Sequence, residues 1–387
     1  MVNERIKVAI VQSRLHHFRV PFYEKLRDLL AEKNVELKLI YGQPNKFESA
    51  KNDAAHLDWA VEIKNIRFRK GPVELLWQPC WKYVQGCDLI VVQQENRMLM
   101  NYVLLLFRQF LKTKIAFWGH GINCQAKKLN GIKEQLKRRF LKAPDWWFAY
   151  TDFTKEVLVK EGYSETHITL VQNAVDTSSL KAHLDSLSES ETTACRSQLG
   201  IEGRHVGIYC GSLYDLKKID FLIQAACEVK RELADFELVI IGDGVDRPIA
   251  EAAQQEYSWI HFIGAKYGRE QALYMNLGDV ALMPGLVGLG IVDSFLFGMP
   301  LITTDCKCHS PEIAYLEQGR NGYMTENTLE AYSAKIVEVL KDEDQLRTLS
   351  ANCREDARQY TIENMAANFS EGILRALKLA SAPEVSA

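Results

Sequence analysis

The fold of this chain is decided by the stretch Met283-Pro-Gly-Leu-Val-Gly-Leu-Gly-Ile-Val-Asp293-Ser-Phe-Leu-Phe-Gly-Met-Pro-Leu-Ile-Thr-Thr304. An apolar run leads into a glycine-rich bend, a helix-length apolar segment follows, and a Gly-Met-Pro break precedes the next apolar run. This order is typical of a parallel strand-helix-strand unit. The helical segment carries one carboxylate, Asp293, which is costly to bury without a partner. Asp293 is therefore either a surface residue or a carboxylate directed at hydroxyl groups in a cleft, for which a ribose diol is a natural partner.

Short apolar runs alternate with helix-length segments on both sides of this unit. Such alternation predicts an α/β protein with parallel sheets covered on both faces, and two consecutive sets predict two Rossmann-like domains. We place them at residues 1–178 and 179–360, with a final helix at about 361–380 that returns to the first domain. The polar stretch Ser186–Thr193 is interpreted as a solvated connector. The predicted strands are Lys7–Gln12, Glu36–Tyr41, Asp88–Gln93, Lys114–Trp118, Trp147–Tyr150, Ile168–Val171, Val206–Cys210, Glu237–Ile241, Ile260–Ile263, Val280–Met283 and Leu301–Thr304.

The composition excludes several classes of protein. The 387 residues are 47% hydrophobic and carry a net charge of -3, which is typical of a globular protein and argues against a general nucleic-acid binder. The nine cysteines form no framework pattern, and the sequence opens without a signal peptide, so we expect free thiols and a cytoplasmic location. The longest apolar stretch, Tyr102–Phe107, is too short to span a membrane.

Ligands of open parallel sheets bind at the carboxyl ends of the strands, so we expect the binding residues in the loops that follow the strands. The loop Gly211–Asp220 combines a glycine, a helix amino terminus and the lysines Lys217 and Lys218, which together favour a diphosphate. A solvated lysine pair on an ordinary turn is the alternative. The loop Gly242-Asp-Gly244 permits close approach of a ligand but is also common turn chemistry.

The second half resembles the carboxyl-terminal domain of the retaining glycosyltransferases of family 4, which have the GT-B fold. Their signature is a Glu, seven residues, a second Glu, and then Gly-x-Pro. Aligned on Gly298-Met-Pro300, Asp293 takes the place of the second Glu and Gly285 that of the first. Further similar segments are Val171–Thr177, the loop Gly211–Asp220, Ser310-Pro-Glu312 and Gln318–Tyr323. The loop Gly211–Asp220 resembles the family's strand-loop, which contains Arg or Lys and a Lys-Gly pair.

This resemblance implies a donor site for a nucleoside diphosphate sugar. Lys218 falls on the lysine that contacts the diphosphate, Asp293 would hold the ribose, and Glu312 would border the phosphates. Ser212 stands where many members carry arginine. The expected donor-binding residues are Gly211, Ser212, Lys217, Lys218, Gly244, Gly285, Gly288, Leu289, Asp293 and Glu312.

The amino-terminal half resembles the family at two segments. Phe18–Leu26 is similar to the opening of one group of these transferases, and Trp118–Gly121 places His120 at a strand-end histidine position. We expect Lys218 and His120 to be the catalytic residues, with a structural histidine in a glycine turn as the alternative for His120. His16, His17 and Arg19 are candidates for the acceptor side.

The expected reaction is retaining transfer of a hexose-type sugar, with UDP as the preferred nucleotide, to a glycan or lipid-linked acceptor in surface polysaccharide or lipopolysaccharide biosynthesis. A nucleotide-sugar-binding protein without transfer activity and a GT-B-like epimerase are the rival functions. Cys306-Lys-Cys-His309 is a weak metal motif without complementary ligands, so we expect neither metal nor cofactor.

A basic segment, Lys127–Lys142, has apolar residues on one helical face. It is either a helix that lies on an anionic membrane or one that packs on the domain with a solvated outer face. The first alternative predicts a cytoplasmic protein that is peripheral on the membrane.

Overall fold

The computed structural model describes residues 5–45, 55–71, 73–121 and 138–378. Its contacts divide the chain into two units, one formed by Met1–Asp176 together with Ile362–Ala387 and the other by Thr177–Thr361. Each unit contains a parallel sheet with helices, which confirms the α/β class.

In the described part of the first unit, seven strands form one parallel sheet in the order β3-β2-β1-β6-β7-β8-β9. These strands are β1 (Ile6–Gln12), β2 (Val35–Gly42), β3 (Val61–Ile63), β6 (Leu89–Gln93), β7 (Lys114–Gly119), β8 (Trp146–Ala149) and β9 (Ile168–Leu170). A separate antiparallel hairpin is formed by β4 (Ile66–Lys70) and β5 (Val73–Trp77).

The central strand β1 shows why this sequence forms a buried parallel sheet. Val8 and Ile10 belong to the hydrophobic cluster on one face, while Ala9 and Val11 belong to the cluster on the other. Because both faces are covered, the strand is apolar at every one of these positions rather than at alternate ones.

The helices of the first unit cover these two faces. They are α1 (Val20–Glu32), α2 (Trp81–Val84), α3 (Leu99–Leu111), α4 (Asp152–Lys160) and, after the chain returns, α13 (Ile362–Ala376). Phe369 of α13 stacks on Phe148 of β8 with ring centroids 4.1 Å apart. The final helix is therefore part of the core of the first unit.

In the second unit, six of the described strands form a parallel sheet in the order β12-β11-β10-β13-β14-β15. These strands are β10 (His205–Cys210), β11 (Phe236–Ile241), β12 (Ile260–Gly264), β13 (Val280–Leu282), β14 (Leu301–Thr304) and β15 (Gly322–Thr325). The helices are α5 (Ser178–Asp185), α6 (Glu189–Leu199), α7 (Ile219–Glu232), α8 (Arg247–Glu256), α9 (Gly268–Met275), α10 (Gly290–Leu296), α11 (Leu329–Lys341) and α12 (Glu343–Asp356).

The interpretation of Ser186–Thr193 as a solvated connector is wrong. Most of this stretch is the start of α6, which begins with a capping box between Ser188 and Glu191. The Ser188 hydroxyl accepts from the Glu191 backbone N–H, and the Glu191 carboxylate accepts from the Ser188 N–H. This reciprocal pair stabilises a helix start whose composition alone indicates a loop.

Within the described ranges, no helix is long and apolar enough to cross a membrane.

Candidate functional site

A cavity of about 350 Å³ lies at the carboxyl ends of the strands of the second unit. Loops that follow β10, β11, β12 and β13 contribute to it, as the parallel topology requires. The lining includes Cys210, Gly211, Ser212, Lys217, Gly242, Asp243, Lys266, Tyr267, Gln271, Met283, Gly288, Leu289, Gly290 and Asp293.

Two of these loops are held together by their backbones. The Gly211 N–H donates to the Ile241 carbonyl, and the Leu213 N–H donates to the Asp243 carbonyl, both at 2.9 Å. A Cβ on Gly242 would lie 1.8 Å from the Gly211 carbonyl oxygen, and one on Gly244 would lie 2.1 Å from that of Leu213. Both glycines are therefore required for loop packing, and Gly244 itself is absent from the cavity lining.

Lys217 and Lys218 have different positions. Lys217 lines the cavity, and its Nζ donates to the Leu286 carbonyl at 2.5 Å. Burial lowers the pKa of Lys217 to about 8, although the nearby thiols of Cys308 and Cys306 act in the opposite direction. The Nζ of Lys218 instead bonds to the Asn327 side chain.

The backbone explains this difference. Lys218 has a φ of 56°, in the left-handed region that glycine occupies without strain. Lys218 thus occupies the place of the glycine in the family's Lys-Gly pattern, and Lys217 occupies that of the lysine. Of the two lysines predicted to bind a diphosphate, Lys217 lines the cavity and Lys218 does not.

Gly285 packs directly against the loop that carries Lys217. A Cβ at position 285 would lie 2.2 Å from the Leu216 carbonyl oxygen and 2.7 Å from the Lys217 Cα. The neighbouring Leu286 N–H donates to the same Leu216 carbonyl at 2.7 Å. Because no side chain fits there, Gly285 supports the loop rather than presenting a group to a ligand, and it does not line the cavity.

Asp293 lies on α10 and lines the cavity as a half-buried carboxylate. Desolvation raises its pKa to about 7. Among the described residues, no group donates a hydrogen bond to this carboxylate, so it is left to interact with whatever occupies the cavity. Gly288 and Leu289 line the same wall just before the helix. A Cβ added at position 288 would make an ordinary van der Waals contact with the Ser310 Oγ at 3.7 Å.

The remaining donor candidates differ in their exposure. Ser212 is exposed and lines the cavity, and its carbonyl accepts from the Tyr209 hydroxyl at 2.8 Å. Glu312 is 4% exposed, lies in the short helix Pro311–Tyr315, and is absent from the cavity lining. The position of Glu312 therefore suits support of the loop better than contact with a ligand.

The segment Cys306–His309 forms a compact loop after β14. The two ring nitrogens of His309 are engaged by the backbone: Nε2 donates to the Thr304 carbonyl at 2.6 Å, and Nδ1 accepts from the Val287 N–H at 3.1 Å. This histidine is a bridge between two loops. In the part of the chain that the structure describes, no group of three or more His, Cys, Asp or Glu side chains is arranged to hold a metal ion.

The loop after β12 contributes residues that were not predicted from the sequence. Lys266 and Tyr267 line the cavity, and Tyr267 is 80% exposed. An aromatic ring so exposed beside a cavity is suited to stacking on a planar ligand. The position of this loop after a predicted strand could have identified it as part of the site. It was not selected because it lacks the glycine pattern of the other loops.

His120 lies in the first unit, directly after β7. Its ring makes an edge-to-face contact with Tyr150, with centroids 4.5 Å apart. The residue as a whole is exposed, yet desolvation of the ring and the positive charge of Arg19 lower the pKa of His120 to about 4. His120 is thus a neutral hydrogen-bonding group at ordinary pH.

The acceptor-side candidates are divided between surface and core. His16 is half-buried and His17 is exposed, and both contact the ring of Phe18. Arg19 is only 8% exposed and donates to the Ala174 carbonyl at 3.1 Å and to the Asn173 side chain. The assignment of Arg19 to the acceptor side is therefore corrected to a structural role, since its guanidinium joins α1 to the segment after β9.

The basic segment Lys127–Lys142 lies largely outside the described residues. Its last residues are described: Arg138 and Arg139 are exposed, and Phe140 stacks on Tyr102 of α3 with centroids 4.6 Å apart.

Residues 204–342 match the family model described as glycosyl transferases group 1. This segment of the chain is similar to the group 1 glycosyl transferases. This match confirms the family recognised in the second half, and it includes most of the residues that line the cavity.

The chain is 25% identical over 185 residues to the alpha-monoglucosyldiacylglycerol synthase of Acholeplasma laidlawii. The match covers 46% of this chain and 46% of that relative, so it spans about half the length of either protein.

Solved structures are similar to nearly the whole chain. HepE of Anabaena, solved in complex with UDP, is 14% identical with a TM-score of 0.67, over 95% of this chain and 99% of HepE. The lipopolysaccharide outer core galactosyltransferase WaaB, solved in its apo form, is also 14% identical, with a TM-score of 0.63 over 95% of this chain and 99% of WaaB. Structural similarity at such low sequence identity shows the fold alone. It confirms the predicted GT-B fold.

Proposed function

We propose that this glycosyl transferase is a retaining, metal-independent enzyme that moves a hexose-type sugar from a nucleoside diphosphate sugar to a glycan or lipid-linked acceptor. The observation that carries the proposal is the cavity of the second unit, which is lined by the carboxylate of Asp293 and the ammonium of Lys217. One group suits a sugar diol and the other a diphosphate. A nucleoside diphosphate contains both.

Asp293 is assigned to the ribose. A carboxyl group with a pKa of about 7 is present in both protonation states near neutral pH. The ionised form accepts from a hydroxyl, and the protonated form donates to one. Since a vicinal diol both donates and accepts, it satisfies either form and supplies the partner that the described residues do not.

Lys217 is assigned to the diphosphate. With a pKa of about 8 it is mostly protonated at pH 7. As the bond to the sugar breaks, negative charge grows on the leaving diphosphate, and a preorganised cation in a desolvated site stabilises that charge. This electrostatic role requires no metal ion.

Tyr267 is assigned to the base, on which its exposed ring would stack. UDP is the preferred nucleotide because HepE, which shares the fold, was solved with UDP. In the first unit, His120 is assigned to the transferred sugar as a neutral hydrogen-bonding group, and His16 and His17 to the acceptor.

Binding of nucleotides tests the donor site directly. We expect UDP or its sugar conjugates to raise the melting temperature in a concentration-dependent way, more than GDP or ADP do, and Asp293→Ala to abolish the effect. The failure of every nucleotide to bind would end the proposal. A transferase consumes the donor only with an acceptor, an epimerase converts it without one, and a binding protein shows affinity without turnover, so product analysis with and without acceptor separates the rival functions.

Surface polysaccharide or lipopolysaccharide synthesis is the proposed setting, and an anionic membrane is the proposed location. By their names, WaaB is a galactosyltransferase of the lipopolysaccharide outer core, and the Acholeplasma enzyme is a synthase of alpha-monoglucosyldiacylglycerol. In this chain α3 exposes Leu106 by 77% and Phe110 by 81%. Tyr102 of the same helix stacks on Phe140, which directly follows the exposed Arg138 and Arg139. Exposed apolar side chains beside basic ones suit the surface of an anionic bilayer.

Vesicle flotation tests this location. We expect binding to vesicles with phosphatidylglycerol and little binding to phosphatidylcholine alone. Replacing Lys133, Lys137, Arg138 and Arg139 by Glu should abolish binding, and Leu106→Ser with Phe110→Ser should weaken it at equal charge. Unchanged binding in both variants would refute the membrane proposal. Self-association detected by sedimentation, and lost in the Leu106/Phe110 variant, would assign the apolar face to a second copy instead.

A further inference from the structure

Cys306 and Cys308 form a thiol pair at the edge of the donor site. Their Sγ atoms are 2.9 Å apart, and Lys307 between them has a φ of 55°, a left-handed turn that brings both side chains to the same side of the loop. Both thiols are half-buried rather than sealed in a core, so a small oxidant can reach them.

Neighbouring groups favour the thiolate of Cys306. The His309 Nε2 lies 3.5 Å from its Sγ. Burial raises the pKa of Cys306, but the hydrogen bonds from His309 and Cys308 outweigh it and lower the pKa to about 7. Burial and the adjacent Cys306 raise the pKa of Cys308. One thiol is thus the stronger candidate for attack on an oxidant, and the other is in reach to resolve the product.

The pair is connected to the donor site through charge and through backbone. Both sulfur atoms are within electrostatic reach of Lys217, which lines the cavity. The Ser310 N–H donates to the Val287 carbonyl at 2.9 Å, so the end of the cysteine loop is fixed to the loop that leads to Gly288 and Asp293.

We propose that Cys306 and Cys308 are a peroxide-reactive dithiol, a modification site at the donor cavity. The Cys306 thiolate attacks hydrogen peroxide: an S–O bond forms, the O–O bond breaks, and hydroxide leaves to become water, which gives a sulfenic acid. The Cys308 thiolate then attacks that sulfur, so an S–S bond forms and the sulfenic oxygen leaves as water. Two thiols are oxidised to one disulfide while one peroxide is reduced to two waters. A dithiol reductant reverses the step by exchange.

The chemistry of the pair is independent of the proposed function, whereas its effect on the enzyme rests on the donor site. A diphosphate bound at Lys217 would add negative charge beside a residue that interacts electrostatically with both thiols, and we expect it to hinder their reaction with peroxide. Only the free fraction of the protein would then react, so a UDP concentration about ten times Kd should slow oxidation about tenfold.

Intact mass and peptide mapping after brief treatment with hydrogen peroxide test the pair. We expect the wild type to lose two hydrogens, with the new bond in the peptide that contains both cysteines, and Cys227→Ser, which removes another half-buried thiol, to behave identically. Cys308→Ser should accumulate a sulfenic acid at Cys306 that a dimedone probe captures, and Cys306→Ser should remain unmodified at Cys308. Retention of both thiols, or a disulfide elsewhere, would overturn the proposal.

The nucleotide experiment separates the two proposals. Oxidation that is slowed by UDP supports the placement of the dithiol at the donor site. If calorimetry shows that UDP binds and yet the rate of oxidation does not change, that placement is wrong. If no nucleotide binds while the disulfide still forms, the proposed function fails and the dithiol stands.

Discussion

Replacing Lys217 by Met should lower the kcat/KM of sugar transfer by about two to three orders of magnitude. Methionine keeps the length and much of the apolar volume of lysine while it removes the charge. The Nζ of Lys217 uses one N–H on the Leu286 carbonyl, which leaves its other donors for a phosphate oxygen. The variant loses this short backbone contact too, so its melting temperature must be measured beside its activity.

The expected magnitude follows from the desolvation of this lysine. At an effective dielectric constant of about 20, a unit charge about 4 Å from a phosphate oxygen contributes about 4 kcal/mol. The lowered pKa of Lys217 shows that the ammonium is already poorly hydrated in the empty site. Little further desolvation is therefore needed when the ligand binds, and most of the attraction remains available for the growing charge of the leaving group.

Lys218→Gly is the matched control. It removes the neighbouring lysine from a left-handed position, where a non-glycine residue is strained by about 1–2 kcal/mol. We expect nearly normal turnover and an equal or higher melting temperature. The turnover of both variants is measured as the rate at which nucleoside diphosphate is released from the nucleotide sugar. A hundredfold loss in Lys218→Gly with a nearly normal Lys217→Met would refute the reasoning and return the diphosphate to Lys218.

Three further predictions concern other residues. Gly285→Ala should lower the melting temperature, since its Cβ would lie 2.2 Å from the Leu216 carbonyl oxygen; an unchanged value in thermal unfolding would show that the loop has room. Asp293→Asn should raise the melting temperature near pH 8 but not near pH 4. The reason is that the pKa of Asp293 is raised from 3.8 to about 7 on folding, so its contribution is complete below about pH 4 and is lost as the pH rises through 7; equal effects at both pH values would contradict this assignment. Tyr267→Ala should leave the melting temperature unchanged and weaken UDP binding by about 1–3 kcal/mol in calorimetry, and full affinity would remove Tyr267 from the base site.

The fold was largely predictable because burial on both faces leaves a continuous apolar run. β1, β10 and β14 begin and end within a residue or so of their predicted bounds. The hairpin β4–β5 was not predicted, since Arg67, Arg69 and Glu74 interrupt its apolar residues. Two of those apolar residues, Ile66 and Phe68, are themselves exposed. The start of α6 was predicted as a connector for a related reason, because its residues are polar and show no apolar period.

The loops that form the site could be predicted from the sequence, but the positions of the individual side chains could not. The glycine-rich loops and Asp293 are visible in sequence, because a parallel sheet fixes which end of each strand is functional. The choice between Lys217 and Lys218 depends on one backbone angle, and the burial of Arg19 depends on partners more than a hundred residues away. Neither this backbone angle nor the burial of Arg19 can be predicted from the neighbouring residues in the sequence.

Asp293 and Lys217 line one cavity, have opposite charges, and yet form no salt bridge with each other or with any other described residue. Desolvation shifts both toward their neutral forms, which raises the pKa of the acid to about 7 and lowers that of the base to about 8. A cavity that served only packing would lose nothing if apolar residues replaced both groups. Two ionisable groups without a salt bridge in one cavity are instead what a binding site requires when its ligand supplies the partners, here a diol for the acid and a diphosphate for the base.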